Sequence, residues 1–223
     1  LGFCPNFPTM KAIFYEGEIQ DNYIGHIMAE VYKDRVYDPF LMGKSNLTIF
    51  DIGGNIGITA NYFSDFGKVY SFEPSKEHFS CLSKMVEFNG LQDKIIPVNK
   101  AVYIKDGKLP FFHNPNRTMY SLHSAVYDGK SEVEEVDCVA LDTFINENKI
   151  EHIDFMKLDV EGSETEIISS SSFKNISDKI DTIVAEVHAW SGRNPNQIID
   201  ALKMRGFNIS QLPSDATIIV AKR

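Results

Sequence analysis

Apolar residues in this chain fall into two alternating patterns: short dense segments, and longer stretches that repeat every three or four positions. The segments Leu47–Ile52, Lys68–Pro74, Ile95–Tyr103, Ile153–Gly162 and Ile180–His188 carry the β-branched and aromatic residues expected of strands covered on both faces. Between them the spacing predicts helices over Ile56–Phe66, Lys76–Phe88, Leu141–Asn148, Glu164–Ser170 and Pro195–Met204. Stop signals follow several of these: Gly67, Asn89-Gly90 and Gly206. Ser75 reads as an N-cap, with His78 at the capping-box position. Strand and helix in alternation predict an α/β fold with a mostly parallel sheet. Phe207–Leu212 and Asp215–Lys222, joined by Pro213-Ser214, read as a closing pair that adds one antiparallel strand.

Two regions depart from the alternation. Residues 1–46 form an N-terminal extension, in which Lys11–Tyr15 suits a short strand and Ile24–Asp38 has helical spacing, stopped by Pro39. That helix is expected either to lie over the ligand edge as a partial lid or simply to cover core. The main domain, 47–223, is interrupted around 105–139 by a β insertion, with Asp106-Gly107 as a hairpin turn and strands at Leu109–Phe112 and Glu132–Leu141. Loops beside a site carry specificity, so Arg117, Tyr120, Ser121 and His123 are candidate substrate contacts, or else an exposed polar loop.

The chemistry gathers where strands end. Asp51 stands near the end of the first strand, and Gly53, Gly54, Asn55 and Gly57 follow it into a turn. Glycines there permit positive φ and close approach of a ligand, and the helix that follows presents unpaired N–H groups. A tight strand-to-helix turn alone would account for them. The second strand, however, ends in Glu73, placed to accept hydrogen bonds from both hydroxyls of a ribose. A nucleotide-like ligand is therefore expected over the turn, with Asn99 to Ala101 within reach of its base. Further on, a period of two sets Lys157, Asp159 and Glu161 on one face, and Glu186 and His188 on another. Asp159 and Glu161 can position a cofactor, act as a base or hold a metal, although Glu161 also suits a cap for the next helix. Glu186 and His188 are a candidate acid/base or metal pair, or a hydrogen-bonded structural one. Trp190, the sole tryptophan, could wall a pocket.

Composition narrows the classes. The 223 residues, 43% hydrophobic and 24% charged, suit one globular domain. A net charge of −9 counts against a general nucleic-acid binder, and no apolar run is long enough to span a bilayer. Cys4, Cys81 and Cys138 share no metal-ligand spacing and read as free thiols in a reducing, cytoplasmic setting.

The motifs Asp51–Gly57, Phe72-Glu73-Pro74 and Asp154–Glu164, in this order of elements, resemble the FkbM family of S-adenosylmethionine-dependent methyltransferases over residues 47 to 222. Lys157–Gly162 is the most specific part. The resemblance implies a seven-stranded Rossmann-like sheet with helices on both faces and methyl transfer to a hydroxyl of a sugar, natural product or other small molecule. It implies that Gly53, Gly54, Asn55 and Gly57 pass the methionine and ribose portions of S-adenosylmethionine, with Asp51 beside them. Glu73 would hold the ribose hydroxyls, Ala101 would flank adenine, and Asp159 would lie near the methionine moiety. Asp159, Glu186 and His188 are then the candidate catalytic residues, the last two from strand spacing alone. A divalent ion on Asp159 with Glu161 or Glu186 ranks below a metal-free site. Two alternatives remain open: an NAD-dependent oxidoreductase, whose Gly-x-Gly-x-x-Gly would need a glycine where Ile52 stands, and a non-catalytic nucleotide-binding domain.

Overall fold

The first strand, β1 (Leu47–Ile52), has Ile49, Phe50, Asp51 and Ile52 without exposed surface, as a central strand requires. The computed structural model describes residues 21–113, 120–122, 132–188, 195–212 and 215–223. Among these, strands form two sheets. The larger is seven-stranded, built from β1, β2 (Gly67–Phe72), β3 (Ile95–Val98), β8 (Ile153–Leu158), β9 (Ile180–Glu186), β10 (Asn208–Leu212) and β11 (Asp215–Lys222), in the order β10-β11-β9-β8-β1-β2-β3. Only β11 runs antiparallel, against both β9 and β10. The smaller sheet takes β4 (Ala101–Tyr103), β5 (Gly107–His113), β6 (Tyr120–Ser121) and β7 (Glu132–Ala140), in the order β4-β7-β5-β6. The expected α/β sheet and its antiparallel closing strand are both present. The chain divides into two compact units, one ending at Asn99 and the other beginning at Lys100.

In the first unit, α1 (Asp21–Met28) runs into a π-helical turn, Ala29–Lys33, and α2 (Asp38–Leu41) follows after a bend. The sequence expectation of one helix halted by Pro39 is thus corrected. Pro39 lies in the first turn of α2, where its missing N–H leaves no bond unmade. This segment packs on α3 (Ile58–Phe63): Tyr32 donates to Asn61 at 2.7 Å, Tyr62 donates to Asp38, and Tyr37 meets the ring of Phe63 edge-on at 5.0 Å. Helix α3 is shorter than the expected Ile56–Phe66, because Gly57 stands before it in the left-handed region at φ 96°. Gly67 is not its stop but the first residue of β2, paired with Leu47. Helix α4 (Lys76–Phe88) matches expectation, with Ser75 Oγ accepting from the His78 N–H at its start. The expected third strand breaks in two after β3, where the Asn99 side chain donates to the carbonyls of Glu73 and Pro74. Pro97 falls in β3, an edge strand of its sheet, where a missing donor is tolerated.

In the second unit, Ala101, Phe111, Val136 and Cys138 make the core of the small sheet. Strand β4 pairs with β7 rather than β5, so Asp106-Gly107 is not a hairpin turn. Asp106 accepts instead from the Ala140 N–H at 2.8 Å and from Thr143 Oγ1 at 2.9 Å, fixing the start of α5 (Leu141–Glu147). After β8 come α6 (Glu164–Ser169) and α7 (Ser171–Ile176), and α8 (Pro195–Lys203) leads into β10. Cys81 and Cys138 are free and buried, and burial pushes both thiols up, Cys138 to about 11. Among the described residues no helix is long and apolar enough to cross a membrane.

Candidate active site

Strand β1 delivers the chain into the turn Gly53–Gly57. Gly53 takes φ 86° and Asn55 φ 49°, conformations that the absent side chain and the short polar side chain respectively allow. Asn55 Oδ1 accepts from the Ile56 N–H at 2.8 Å, and the Gly53 and Gly54 N–H groups both donate to the carbonyl of Phe72. Gly54 has no room for a side chain, since a Cβ would overlap Ser71 Oγ and come 3.2 Å from Asp51 Oδ2. A Cβ on Gly57 would meet Met85 at 2.5 Å and Leu82 at 2.8 Å.

Glu73, buried at 5% exposure, locks this turn to the end of β2. One carboxylate oxygen accepts from the Asn55 N–H at 2.9 Å and the other from the Ser75 N–H at 2.8 Å. Asp51, expected among the cofactor residues, has no exposed surface. Its oxygens accept from Thr59 at 2.9 and 3.0 Å and from Ser71 at 2.8 Å, which ties the end of β1 to α3 and β2. Both partners escaped sequence reasoning, because hydroxyls eight and twenty residues away leave no motif.

The second unit carries the other charged residues. Ala101, the expected adenine neighbour, has its side chain in the small-sheet core. Strand β8 stops at Leu158, so Asp159 and Glu161 follow the strand rather than sharing its face. Asp159 Oδ2 lies 3.0 Å from the ammonium of Lys157, itself buried. Glu161 adopts φ 54°, and its carbonyl accepts from the fully buried Ser121 Oγ at 2.7 Å. Glu161 does not cap α6, whose N-cap residue Ser163 makes no side-chain cap bond; Glu164 Oε1 instead reaches back to accept from the Val160 and Gly162 N–H groups at 3.2 and 3.0 Å.

The same Glu164 oxygen is 2.9 Å from Nδ1 of His188, which the end of β9 brings in. The Nε2 of His188 faces Glu161 Oε2 at 3.4 Å, Glu186 Oε1 at 3.8 Å and Asp159 Oδ1 at 3.9 Å. The three expected catalytic residues, Asp159, Glu186 and His188, therefore meet around one imidazole. Sequence reasoning missed the roles of Glu164 and Lys157. Burial lowers the basicity of His188, but the Glu164 hydrogen bond and the charges of Glu161 and Asp159 outweigh it and raise the group to about 9. Glu161 is pushed up to about 7 by burial and by its carboxylate neighbours, against the pull of His188. A protonated imidazole is a donor, not a base. Arg117, His123 and Trp190 lie outside the described residues, and of Tyr120 only its place in β6 is described.

Residues 51–209 match the family model described as the methyltransferase FkbM domain. The chain belongs to the FkbM methyltransferase family. This FkbM enzyme is 25% identical to methyltransferase sdnD of Sordaria araneosa, over 88% of this chain and 89% of that protein. It is 22% identical to the hexuronic acid methyltransferase AglP of Haloferax volcanii, over 78% of this chain and 70% of that protein. Among solved structures it resembles methyltransferase FkbM of Methylobacillus flagellatus KT, with TM-score 0.56 and 15% identity over 83% of this chain. The match spans 45% of that chain, less than half its length. A Streptococcus mutans structure solved in complex with SAH gives TM-score 0.50 and 12% identity, over 85% of this chain and 97% of that one. These two likenesses show the fold. FkbM membership makes the protein a methyltransferase, and an oxidoreductase is not favoured.

Proposed function

We propose that this methyltransferase uses S-adenosylmethionine to methylate a hydroxyl oxygen of a sugar or another small molecule. The observation that carries the reading is Glu73, a buried carboxylate at the end of β2 whose two oxygens are anchored by the Asn55 and Ser75 N–H groups. Such an acid is placed to accept from the two hydroxyls of a ribose. Gly53 and Gly54 bring no side chain to the adjoining turn, which suits an adenosyl ligand there. The SAH bound in the Streptococcus mutans structure supports the cofactor class, and AglP, a hexuronic acid methyltransferase, supports a sugar.

When bound, S-adenosylmethionine supplies a methyl group already activated on a sulfonium sulfur. This chain then has three tasks: to hold the donor, to align an acceptor oxygen with the methyl carbon, and to take up the hydroxyl proton. Glu73 and the turn serve the first. The Asp159, Glu186 and His188 cluster serves the last, with a carboxylate as base while His188 is charged.

Calorimetric titration with SAH and NAD, beside Glu73→Gln, tests the reading. SAH is expected to bind the parent protein, and Glu73→Gln to weaken it about 10- to 100-fold, the range for a lost charge-assisted hydrogen bond. Binding of NAD but not SAH would sink the proposal. Transfer of labelled methyl to a panel of hydroxylated sugars, hexuronic acids included, then identifies the acceptor.

A further inference from the structure

We propose that Asp159, Glu161 and His188 bind one divalent transition-metal ion, of the Mn²⁺ or Zn²⁺ class. Ligand atoms of the three residues all lie within 4.8 Å of one another. Glu164 fixes the tautomer: its Oε1 already accepts two main-chain N–H groups and lies 2.9 Å from His188 Nδ1, so the ring hydrogen belongs on Nδ1. A carboxylate holding the far nitrogen of an imidazole is the usual outer partner of a metal-bound histidine. Nε2 faces carboxylate oxygens of Glu161, Glu186 and Asp159 at 3.4, 3.8 and 3.9 Å, and a bound ion would take the place of the proton that Nε2 carries in the empty site.

The shortest of these separations is that of atoms sharing an ion. Two donors each about 2.1 Å from one metal stand about 3.0 Å apart at a right angle and about 3.4 Å apart at the tetrahedral angle. Glu161 Oε2 is buried and has no hydrogen-bond partner in the described structure. A buried carboxylate oxygen held against an imidazole nitrogen by charge but without a hydrogen bond is an arrangement that a metal ion would complete. Asp159 keeps one oxygen on Lys157 and turns the other towards His188. One nitrogen among oxygen donors favours a borderline ion over Ca²⁺ or Mg²⁺. A second group, His152, Asp154 and Asp181, lies at the other end of β8 and β9. Its two end members are exposed, and it serves as an internal control.

The assignment rests on the cluster itself; a role for the ion in activating the acceptor hydroxyl rests on the methyl-transfer reading. The test is Mn²⁺ titration of chelator-treated protein, followed by calorimetry and by the loss of free-Mn²⁺ electron paramagnetic resonance signal. One equivalent should bind the parent protein. Glu161→Gln and Asp159→Asn, each confirmed folded by its thermal midpoint, should weaken binding at least tenfold, while Asp154→Asn leaves it unchanged. Absence of saturable binding overturns the proposal, and so does binding that only Asp154→Asn removes. SAH titration of the same samples separates the two readings. SAH binding without Mn²⁺ binding sinks the ion alone, and Mn²⁺ binding without SAH binding sinks the cofactor assignment alone.

Discussion

Gly54 owes its identity to Ser71 more than to a ligand. A Cβ at Gly54 would overlap Ser71 Oγ, while Ser71 Cβ stands at an ordinary 3.4 Å. Gly54→Ala is therefore expected to cost about 1–3 kcal/mol, the usual range for overpacking. In a Ser71→Ala background, where the offending oxygen is gone, the same change should cost clearly less. Urea unfolding of the four proteins in the cycle measures the difference, and equal costs in both backgrounds would refute this account. The sequence made the glycine turn and Glu73 legible, because glycine and a strand-end acid have few other uses in that order. It could not show that Asp51 accepts from Thr59 and Ser71, or that Glu164 reaches back to the Val160 and Gly162 N–H groups, because those bonds depend on which way side chains turn at strand ends.

Helices α5 and α7 are joined by one side chain. Asp142 accepts from Ser172 at 2.6 Å, from Asn175 at 2.8 Å and from the Thr143 N–H at 3.0 Å. Burial alone would raise its pKa, but these hydrogen bonds outweigh burial and hold it below its ordinary 3.8. A depressed folded pKa contributes stability that is complete above the unfolded value and is lost as pH falls through the folded one. The thermal midpoint should thus fall below pH 3.8, and Asp142→Asn should lower the neutral plateau and flatten that acid limb. A profile as steep in the variant as in the parent would count against the role. Elements with strong end signals, such as α4 with Ser75 before it and Asn89-Gly90 after it, were readable from sequence. The split between β3 and β4 was not, because it hangs on the Asn99 amide reaching two carbonyls 25 and 26 residues back. Nor was the π-helical turn at Ala29–Lys33, whose apolar spacing suits an α-helix equally well.

The whole chain carries 31 acidic and 22 basic residues, a net charge of −9. A protein of this balance gains little from phosphate contacts. No retention of a short single-stranded RNA is expected in a filter-binding assay at about 0.1 M salt, near-physiological ionic strength. Tight, salt-sensitive RNA binding would redirect the acceptor search towards nucleic acid. The alternation of strand and helix was enough to read the large sheet, since each parallel strand needs a crossover. The small sheet was read only as an insertion, because the pairing of β4 with β7 across the intervening β5 has no local signature. Gly67 ties these scales together. It sits opposite Leu47 with no space for a Cβ, which would collide with the Leu47 main chain, and from there β1 and β2 run in step for six pairs to Ile52 and Phe72. At about 3.3 Å per residue, the notch that seats the two strands lies roughly 20 Å from the place where Asn55 meets Glu73. A slip of one residue at the notch would turn Asp51 away from Ser71 and carry Glu73 past the turn it braces. The alignment of the proposed cofactor cradle is thus gauged from the far end of the sheet, by a glycine no ligand would ever touch.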